Sequence, residues 1–245
     1  ADGSDMTDDL DGRTVLVTGA SSGIGRATAE AMAAEGATLA LAARSEDRIA
    51  ALADRLDTDA VAVPTDVREE DDVEALVSAT VERFGGIDVL VNNAGLGRGS
   101  SVSELSTEAY REMMETNADG MFFAARAALP HLKESGGTAV FVGSFAGQFP
   151  RSFNPVYAAT KWWTRGFAKS LSAQAGDDVG VTVINPSEVR TEFGSEDGER
   201  FEERFEPGEV TEPEEVAEAI VFAATRSPSM VSELDLYRRD KLTDF

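Results

Sequence analysis

Short apolar runs alternate with longer amphipathic stretches along the chain. The apolar runs are rich in valine, leucine and alanine, which is typical of strands buried in a parallel sheet. They predict strands at residues 13–18, 38–43, 60–63, 87–91, 138–142, 181–184 and 231–236. In the stretches between them, apolar residues recur at the spacing of helical turns. These stretches predict helices at residues 26–35, 46–56, 69–84, 107–129, 155–174 and 212–225.

This alternation predicts the fold class. Strands and helices that follow one another through short connections form an α/β fold, here a doubly wound parallel sheet of about seven strands with helices on both faces. We expect a single domain over residues 1–245, since no repeat or linker interrupts the pattern. Within it, we expect an acidic N-terminal tail at 1–11, a substrate lid at 187–210 and a C-terminal tail at 237–245.

A glycine-rich turn connects the first predicted strand to the first predicted helix. Such a turn lets the backbone approach a pyrophosphate closely, and the N-terminus of the following helix attracts the negative charge. The sequence therefore predicts a dinucleotide site in a Rossmann fold. The residues expected to form it are Gly19, Ser21, Ser22, Gly23, Ile24 and Gly25.

Two residues at strand ends bear on the identity of the dinucleotide. Arg44 follows the second strand, where an NAD site usually has an acidic residue and an NADP site has an arginine for the 2′-phosphate. We therefore expect NADP, with NAD as the alternative, although Arg44 could instead pair with Glu46 or Asp47. Asp66 precedes Val67 after the third strand, and its carboxylate could accept from the adenine amino group, help to start the next helix, or do both.

Tyr157 and Lys161 are placed at i and i+4 on one face of a predicted helix. A neighbouring ammonium favours the phenolate, so it lowers the tyrosine pKa from about 10 toward the working range of an acid–base catalyst. Taken alone, the pair could also be two surface residues that share a helix face. Ser144 follows a strand end, where ligands gather in open α/β sheets, but it could equally be a turn serine.

Taken together and in order, these motifs resemble the short-chain dehydrogenase/reductase family. They are TGASSGIG at 18–25, NNAG at 92–95, Ser144, and YAATK at 157–161, thirteen residues after the serine. The resemblance covers about residues 11–237 and implies an oxidoreductase. Such an enzyme transfers hydride between NADP and a secondary alcohol or 3-hydroxy acid, which interconverts with a ketone or 3-oxo compound.

The resemblance also assigns roles to individual residues. It implies that Tyr157 protonates the carbonyl oxygen, that Ser144 donates a hydrogen bond to the same oxygen, and that Lys161 lowers the tyrosine pKa and holds the nicotinamide ribose. Asn117 would anchor a relay water, although it could also be a satisfied core amide. Asn92 would support the sheet. Further cofactor contacts are implied for Asn93, Ala94, Gly95, Tyr157, Lys161, Pro186, Val189 and Thr191, and Val67 beside Asp66 is also expected to contact the cofactor.

The sequence gives little information about the identity of the substrate. We expect Gln148, Phe149, Pro150 and Phe193 to line the pocket together with the lid, and this mixed character suits a small ketone, 3-oxo acid or 3-hydroxy acid. The acidic stretch 194–209 is either a mobile lid with Phe201 and Phe205 on its inner face or a solvated loop. Its carboxylates mildly disfavour a highly anionic substrate.

The amino-acid composition limits the binding partners and the cellular environment that we expect for the protein. The net charge is −23, from 45 acidic against 22 basic residues, so nucleic acid and anionic membranes are poor partners. We expect a cytoplasmic protein from a high-salt organism, because concentrated counterions screen such self-repulsion. The absence of cysteine and the single histidine argue against a metal site. We expect that residues 1–9 are not a signal peptide, since they are acidic and polar, and no apolar run is long enough for a membrane span.

Assembly and function leave alternatives open. The resemblance implies a homodimer or homotetramer that pairs through the helices at 107–129 and 155–174. We expect Trp162 and Trp163 to fill the core or that interface rather than the active site. Two rival functions remain, which are a non-catalytic NADP-binding sensor or scaffold and a lyase or epimerase on the same fold. The joint presence of Asn117, Ser144, Tyr157 and Lys161 weighs against the first.

Overall fold

The computed structural model describes residues 10–194 and 199–243, and one parallel sheet crosses it. The strands are β1 Thr14–Thr18, β2 Thr38–Ala43, β3 Ala60–Pro64, β4 Val89–Asn92, β5 Thr138–Val142, β6 Gly180–Pro186 and β7 Glu233–Leu236. Their order in the sheet is β3-β2-β1-β4-β5-β6-β7. All neighbouring strands run parallel. The predicted tail at 1–11 lies almost wholly outside the described residues.

Helices cover both faces of the sheet. They are α1 Gly23–Ala34, α2 Glu46–Ala53, α3 Glu70–Phe84, α4 Thr107–Met114, α5 Gly120–Ser135, α6 Pro155–Ala175, α7 Phe201–Arg204 and α8 Pro213–Ala224. One apolar layer joins the sheet to α1, α2 and α8, and a second joins it to α3, α5 and α6. This is a single-domain Rossmann-like fold, which confirms the predicted fold class.

Burial on both faces explains the apolar strand sequences. Every residue of β1 and of β5 is buried. Val17 of β1 pairs with Leu41 on one side and with Val91 on the other, so the centre of the sheet is apolar throughout. The edge strand β7 is only partly buried, and it begins two residues later than predicted.

The long helix predicted at 107–129 is present but has three parts. A single π-helical turn, Glu115–Asp119, separates α4 from α5. The helix also continues through Pro130 instead of stopping before it. It ends at Ser135, and the next residue, Gly136, has a left-handed φ of 63° that suits glycine.

The strand order creates the crevice that positions the site. β1 lies between β2 and β4, so the chain leaves β1 in one direction and later returns to its other side. Ligands of open α/β sheets bind at such a switch point, beyond the carboxyl ends of the strands. Within the described part of the chain, no helix is both long and apolar enough to cross a membrane.

Candidate active site

A cavity of about 1020 Å³ lies at the carboxyl ends of the strands. The predicted site residues that line it are Gly19, Ser21, Ser22, Gly23, Ile24, Arg44, Asp66, Val67, Asn93, Ala94, Gly95, Ser144, Tyr157, Lys161, Pro186, Val189 and Thr191. Gly25 and Asn117 lie behind this lining. The chain thus brings together both groups of residues that the sequence singled out, the glycine turn and the Ser144–Tyr157–Lys161 group.

The glycine turn forms one end of the cavity. Gly19 and Gly23 have φ values of 68° and 51°, which favour glycine. A Cβ on Gly25 would lie 2.2 Å from the Gly19 carbonyl oxygen, so the turn closes only without a side chain there. No side chain caps the first turn of α1, and that turn contains no acidic residue. Its N–H groups therefore suit a pyrophosphate.

Thr18 links the end of β1 to the residues that follow β4. The sequence did not predict this role. The Thr18 hydroxyl oxygen accepts from the backbone N–H groups of Asn93 and Ala94, each at 3.0 Å. The Asn93 amide in turn donates to the Thr18 carbonyl at 2.9 Å. Asn92 points the other way and donates to the Met121 carbonyl at 2.8 Å, which ties β4 to α5. The only signal in the sequence is the position of Thr18, directly before the glycine turn.

Arg44 and Asp66 lie on the wall of the cavity at the end where the glycine turn is. Arg44 is exposed, and it makes no ion pair within the described ranges, so neither Glu46 nor Asp47 neutralises it there. The Asp66 carboxylate accepts from the backbone N–H of Arg68 at 3.1 Å and from its Nε at 2.9 Å. These hydrogen bonds lower the pKa of Asp66. Asp66 thus orders the turn before α3, and its contact with adenine stays a prediction.

Tyr157 and Ser144 meet at the other end of the cavity. The Ser144 oxygen accepts from the Ala146 N–H at 3.1 Å, and the side chains of Ser144 and Tyr157 both line the cavity. Burial raises the pKa of Tyr157 to about 12, although Ser144 and the charge of Arg151 both act to lower it. Tyr157 is therefore protonated at neutral pH and can donate a proton.

Lys161 is almost fully buried beside this pair. Its Nζ donates to the Val142 carbonyl at 2.8 Å and lies 5.9 Å from the centroid of the Tyr157 ring. Burial lowers the pKa of Lys161 to about 8. Ser144 and Arg151 act to lower the pKa of Tyr157. That Lys161 also lowers it stays a prediction, and the Lys161 ammonium is directed at the Val142 carbonyl.

Asn117 lies in the π-helical turn and is fully buried. Its Oδ1 accepts from the Leu96 N–H, and its Nδ2 donates to the Leu96 carbonyl, both at 2.8 Å. Nδ2 also donates to the Thr160 hydroxyl at 3.0 Å, and that hydroxyl donates to the Tyr157 carbonyl. The side chain is thus a satisfied core amide that links the Leu96 backbone to α6. A relay water held by Asn117 stays a prediction.

An aromatic series forms the wall next to Tyr157. The ring centroid of Phe193 lies 5.7 Å from that of Tyr157 and 6.0 Å from that of Phe201. Phe205 follows 5.7 Å from Phe201, and all three phenylalanines line the cavity, as expected for the inner face of the predicted lid. Residues 195–198 of that lid lie outside the described residues.

The wall that follows Ser144 differs from the prediction. Phe145, Ala146 and Arg151 line the cavity, whereas Gln148, Phe149 and Pro150 do not. The Gln148 amide donates to the carboxylates of Glu233 at 3.0 Å and Asp235 at 2.8 Å, so it faces β7. A short 3₁₀ turn, Phe145–Gly147, rotates the chain and produces this change of direction.

The C-terminal tail folds back onto its own site. Arg238, Asp240 and Lys241 line the cavity. The Lys241 Nζ donates to Oε2 of Glu188 at 2.6 Å, and Arg151 Nη2 donates to Oε1 of the same carboxylate at 3.1 Å. The sequence contains no local signal for these contacts. Trp163 packs against the apolar core and stacks on the ring of Phe167, and the core is one of the two places where the sequence predicted it.

Comparison with known protein families identifies the family of this chain. The family model for short chain dehydrogenases matches residues 13–201. The chain belongs to the short-chain dehydrogenase family. Members of this family bind a nicotinamide cofactor, which fits the glycine turn and the cavity. Within the described ranges, no group of three or more His, Cys, Asp and Glu side chains could hold a metal ion.

Relatives of this short-chain dehydrogenase are oxidoreductases. An uncharacterized oxidoreductase of Staphylococcus epidermidis is 35% identical over 224 residues, which is 90% of this chain and 94% of the relative. The trans-4-hydroxycyclohexanecarboxylate dehydrogenase of Sinomonas cyclohexanicum is 30% identical over 243 residues, 95% of this chain and 93% of the relative. The homologues support an enzyme that acts on CH–OH groups.

Solved structures agree in fold. The alcohol dehydrogenase of Thermococcus sibiricus, complexed with 5-hydroxy-NADP, has a TM-score of 0.83 and 34% identity, and the match covers 92% of this chain and 96% of that one. The closed form of serine dehydrogenase, complexed with NADP⁺, has a TM-score of 0.84 and 31% identity, covering 92% and 94%. A 3-ketoacyl-(acyl-carrier-protein) reductase of Brucella melitensis, complexed with NADH, has a TM-score of 0.84 and 30% identity, covering 92% and 97%.

Proposed function

We propose that this short-chain dehydrogenase transfers hydride between NADP(H) and a small secondary alcohol or 3-hydroxy acid, and so interconverts it with the ketone or 3-oxo compound. The observation that carries the proposal is that Ser144, Tyr157 and the buried Lys161 line the same cavity as the glycine turn. A nicotinamide bound in that cavity supplies or accepts the hydride.

The protein residues manage one proton. In the reducing direction, the Tyr157 hydroxyl gives its proton to the carbonyl oxygen while hydride adds to the carbonyl carbon, and Ser144 donates a hydrogen bond to that oxygen. Lys161 uses one N–H on Val142, and its remaining donors hold the nicotinamide ribose. The main chain of Asn117 anchors the water that returns the proton to Tyr157. Alcohol oxidation runs through the same groups in reverse.

We further propose NADP as the preferred cofactor. Arg44 supports this preference, because it is exposed on the cavity wall and makes no ion pair within the described ranges. Two structural neighbours are complexed with NADP species and one with NADH. Arg44→Gln should weaken NADPH binding roughly 10-fold or more and leave NADH binding nearly unchanged. Arg55→Gln, which removes an exposed arginine paired with Glu30, is the control. Tighter binding of NADH than NADPH to the wild type would contradict the preference.

An absorbance assay for the reduced nicotinamide tests the function. The protein is incubated with NADPH or NADH and a panel of ketones, 3-oxo acids and hydroxy acids. Two relatives are named for substrates that carry both a hydroxyl and a carboxylate, trans-4-hydroxycyclohexanecarboxylate and serine, which supports including such acids. We expect turnover of at least one member. Absence of any cofactor oxidation or reduction would argue against the proposal.

The same assay separates the rival functions. A sensor or scaffold would bind NADPH without turnover, and a lyase or epimerase would convert its substrate with no net change in the cofactor. Binding of NADPH measured beside turnover therefore distinguishes all three.

We also propose a homodimer or homotetramer from a salt-rich cytoplasm. Tyr110 of α4, Phe122 of α5 and Trp162 of α6 are large side chains with 46%, 37% and 47% of their surface exposed, which suits an interface between copies. The excess of acidic residues supports the salt-rich setting. Light scattering coupled to gel filtration would measure the assembly, and a monomer at micromolar concentration would contradict it.

A further inference from the structure

Two cations and one carboxylate lie together at the substrate end of the cavity. Arg151 and Lys241 both hydrogen-bond the Glu188 carboxylate, and all three residues line the cavity beside Ser144 and Tyr157. Their side chains are only 19%, 17% and 24% exposed, respectively. The group has a net charge of +1, in a chain whose total charge is −23.

Most of the Arg151 guanidinium is left without a polar partner. Within the described part of the chain, its hydrogen-bonding donors make one contact, from Nη2 to Glu188. A guanidinium has five N–H donors arranged as a planar fork that matches a carboxylate. Its carbon lies 5.1 Å from the ring centroid of Phe145, the residue directly after Ser144. The free donors are thus held in the cavity, where the charge of Arg151 acts on Tyr157.

Lys241 pairs with Glu188, which leaves the positive charge of Arg151 available to a ligand. The Nζ of Lys241 approaches both oxygens of Glu188 and lies 4.8 Å from the centroid of the Phe145 ring. Burial alone would raise the pKa of Glu188, but the hydrogen bond from Lys241 and the two nearby cations hold it below its ordinary value. Glu188 is therefore ionised and paired mainly with Lys241. Arg151 also acts on Tyr157, whose pKa its charge lowers.

We propose that Arg151 binds the carboxylate of a hydroxy or oxo monocarboxylic acid substrate, and that Glu188 and Lys241 are positioning residues that hold Arg151 in place. The inference rests on the proposed function and names the substrate class for the same site. One net positive charge matches one carboxylate. A half-buried arginine with unused donors also disfavours neutral analogues, because those donors lose water without gaining a partner.

The first test compares an acid with its neutral isostere. Initial rates with NADPH are measured for 3-oxobutanoate and 3-oxobutanamide, which differ in charge but hardly in shape. We expect the wild type to prefer the acid. In Arg151→Gln, the ratio of kcat/KM for the acid to that for the amide should fall roughly 30-fold or more, because a bidentate charged contact is lost. Arg151→Lys keeps the charge but not the planar fork, so its acid-to-amide ratio should lie between those of the wild type and Arg151→Gln.

Controls separate this effect from general damage. Arg83→Gln removes a comparable arginine that pairs with Asp59 outside the cavity, and it should leave the acid-to-amide ratio unchanged. NADPH binding to Arg151→Gln reports whether the variant folds. A wild type that does not prefer the acid, or an equal loss of both substrates in Arg151→Gln, would overturn the inference.

A binding measurement decides the inference without turnover. Calorimetry of 3-hydroxybutanoate with the NADPH complex involves two reduced partners, so no reaction occurs. We expect binding to the wild type, and affinity roughly 30-fold lower in Arg151→Gln. If no substrate is turned over but this difference is found, the proposed function fails and the subsite stands. If binding does not depend on Arg151, the subsite fails.

The positioning role of Lys241 has its own signature. In Lys241→Met, Glu188 can pair fully with Arg151, so KM for 3-oxobutanoate should rise roughly 10-fold with a smaller change in kcat. Lys241→Arg should restore KM, since it again neutralises Glu188. An unchanged KM in Lys241→Met would remove the lysine from the proposal.

Discussion

At the scale of single residues, burial acts on the two ionisable groups of the site in opposite directions. It raises the pKa of Tyr157 to about 12 and lowers that of Lys161 to about 8. Burial disfavours the charged form of each group, which is the phenolate in one case and the ammonium in the other. The site therefore holds a protonated tyrosine, ready to give a proton, beside a lysine that is costly to charge.

Tyr157→Phe should remove the acid while keeping the shape of the site. We expect kcat to fall roughly 100-fold or more, because proton transfer typically contributes at least that factor. NADPH affinity should change little, since the phenol is at the far end of the cavity from the glycine turn. The measurement is steady-state turnover with fluorescence titration of NADPH. Tyr110→Phe, on the exposed face of α4, is the matched control and should behave as the wild type. Retained turnover in Tyr157→Phe would refute the assignment.

Lys161→Met should stabilise the cofactor-free protein, most strongly at neutral pH. The folded-state pKa of about 8 lies below the ordinary 10.5, so the unfolded chain binds the proton more readily. Wild-type stability at this site is therefore lowest below pH 8 and rises as the pH approaches 10.5. That difference corresponds to about 3 kcal/mol, from which the lost hydrogen bond to Val142 is subtracted.

Urea denaturation at several pH values between about 7 and about 10 checks this sign. The stability advantage of Lys161→Met over the wild type should shrink as the pH rises. In Lys133→Met, which removes a lysine with 41% of its side chain exposed, the difference from the wild type should show no such trend. An advantage that grows with pH would contradict the buried-ammonium explanation.

The sequence could predict most residues at the two ends of the cavity, because short motifs carry them. The glycine turn and the Tyr157–Lys161 pair each lie within one helical turn or loop. It could not predict Arg151 and Lys241, because their partner is far away along the chain. Lys241 contacts Glu188 only because the chain turns back toward the cavity after the end of β7. Such contacts depend on the path of the chain, which no local pattern encodes.

At the scale of elements, the sequence predicted each strand, with bounds that differ by few residues. Apolar periodicity defines an element but not a local change within it. The π-helical turn at Glu115–Asp119 arises from long-range contacts, since Asn117 is fixed to the backbone of Leu96. A Cβ on Gly120 would lie 2.8 Å from Val67 Cγ2, so the following turn packs directly onto the loop after β3. These contacts lie outside the helix and are invisible to its own pattern.

Gly25→Ala should open the turn between β1 and α1. The added Cβ would lie 2.2 Å from the Gly19 carbonyl oxygen and 2.6 Å from the Asn93 amide nitrogen, so the backbone must shift. We expect NADPH affinity to fall roughly 10-fold or more, together with a lower Tm. Gly86→Ala is the control, because a Cβ there meets nothing within 4 Å. Fluorescence titration and a thermal melt measure both effects. Wild-type affinity in Gly25→Ala would show that the close approach is unnecessary.

At the scale of the whole molecule, the charge is distributed unevenly. The chain carries −23, yet the cavity lining contains seven basic and five acidic residues among those described. The basic ones are Arg44, Arg98, Arg151, Lys161, Arg204, Arg238 and Lys241. The excess of carboxylates therefore lies elsewhere on the protein. A positive cleft in a negative molecule focuses anions onto the site and suits a phosphorylated cofactor and an acidic substrate.

The same distribution predicts how salt acts on stability. Carboxylates spread over the remaining surface repel one another, and the screening length falls from about 10 Å at 0.1 M salt to about 3 Å at 1 M. We expect the Tm at neutral pH to rise by several degrees between about 0.1 M and about 2 M KCl. If repulsion is the cause, the rise should become smaller as the pH approaches the isoelectric point near 4.3, where the carboxylates lose their charge. A Tm that is equal at low and high KCl, or a salt effect that does not depend on pH, would show that self-repulsion does not limit this fold and would remove the argument for a high-salt origin.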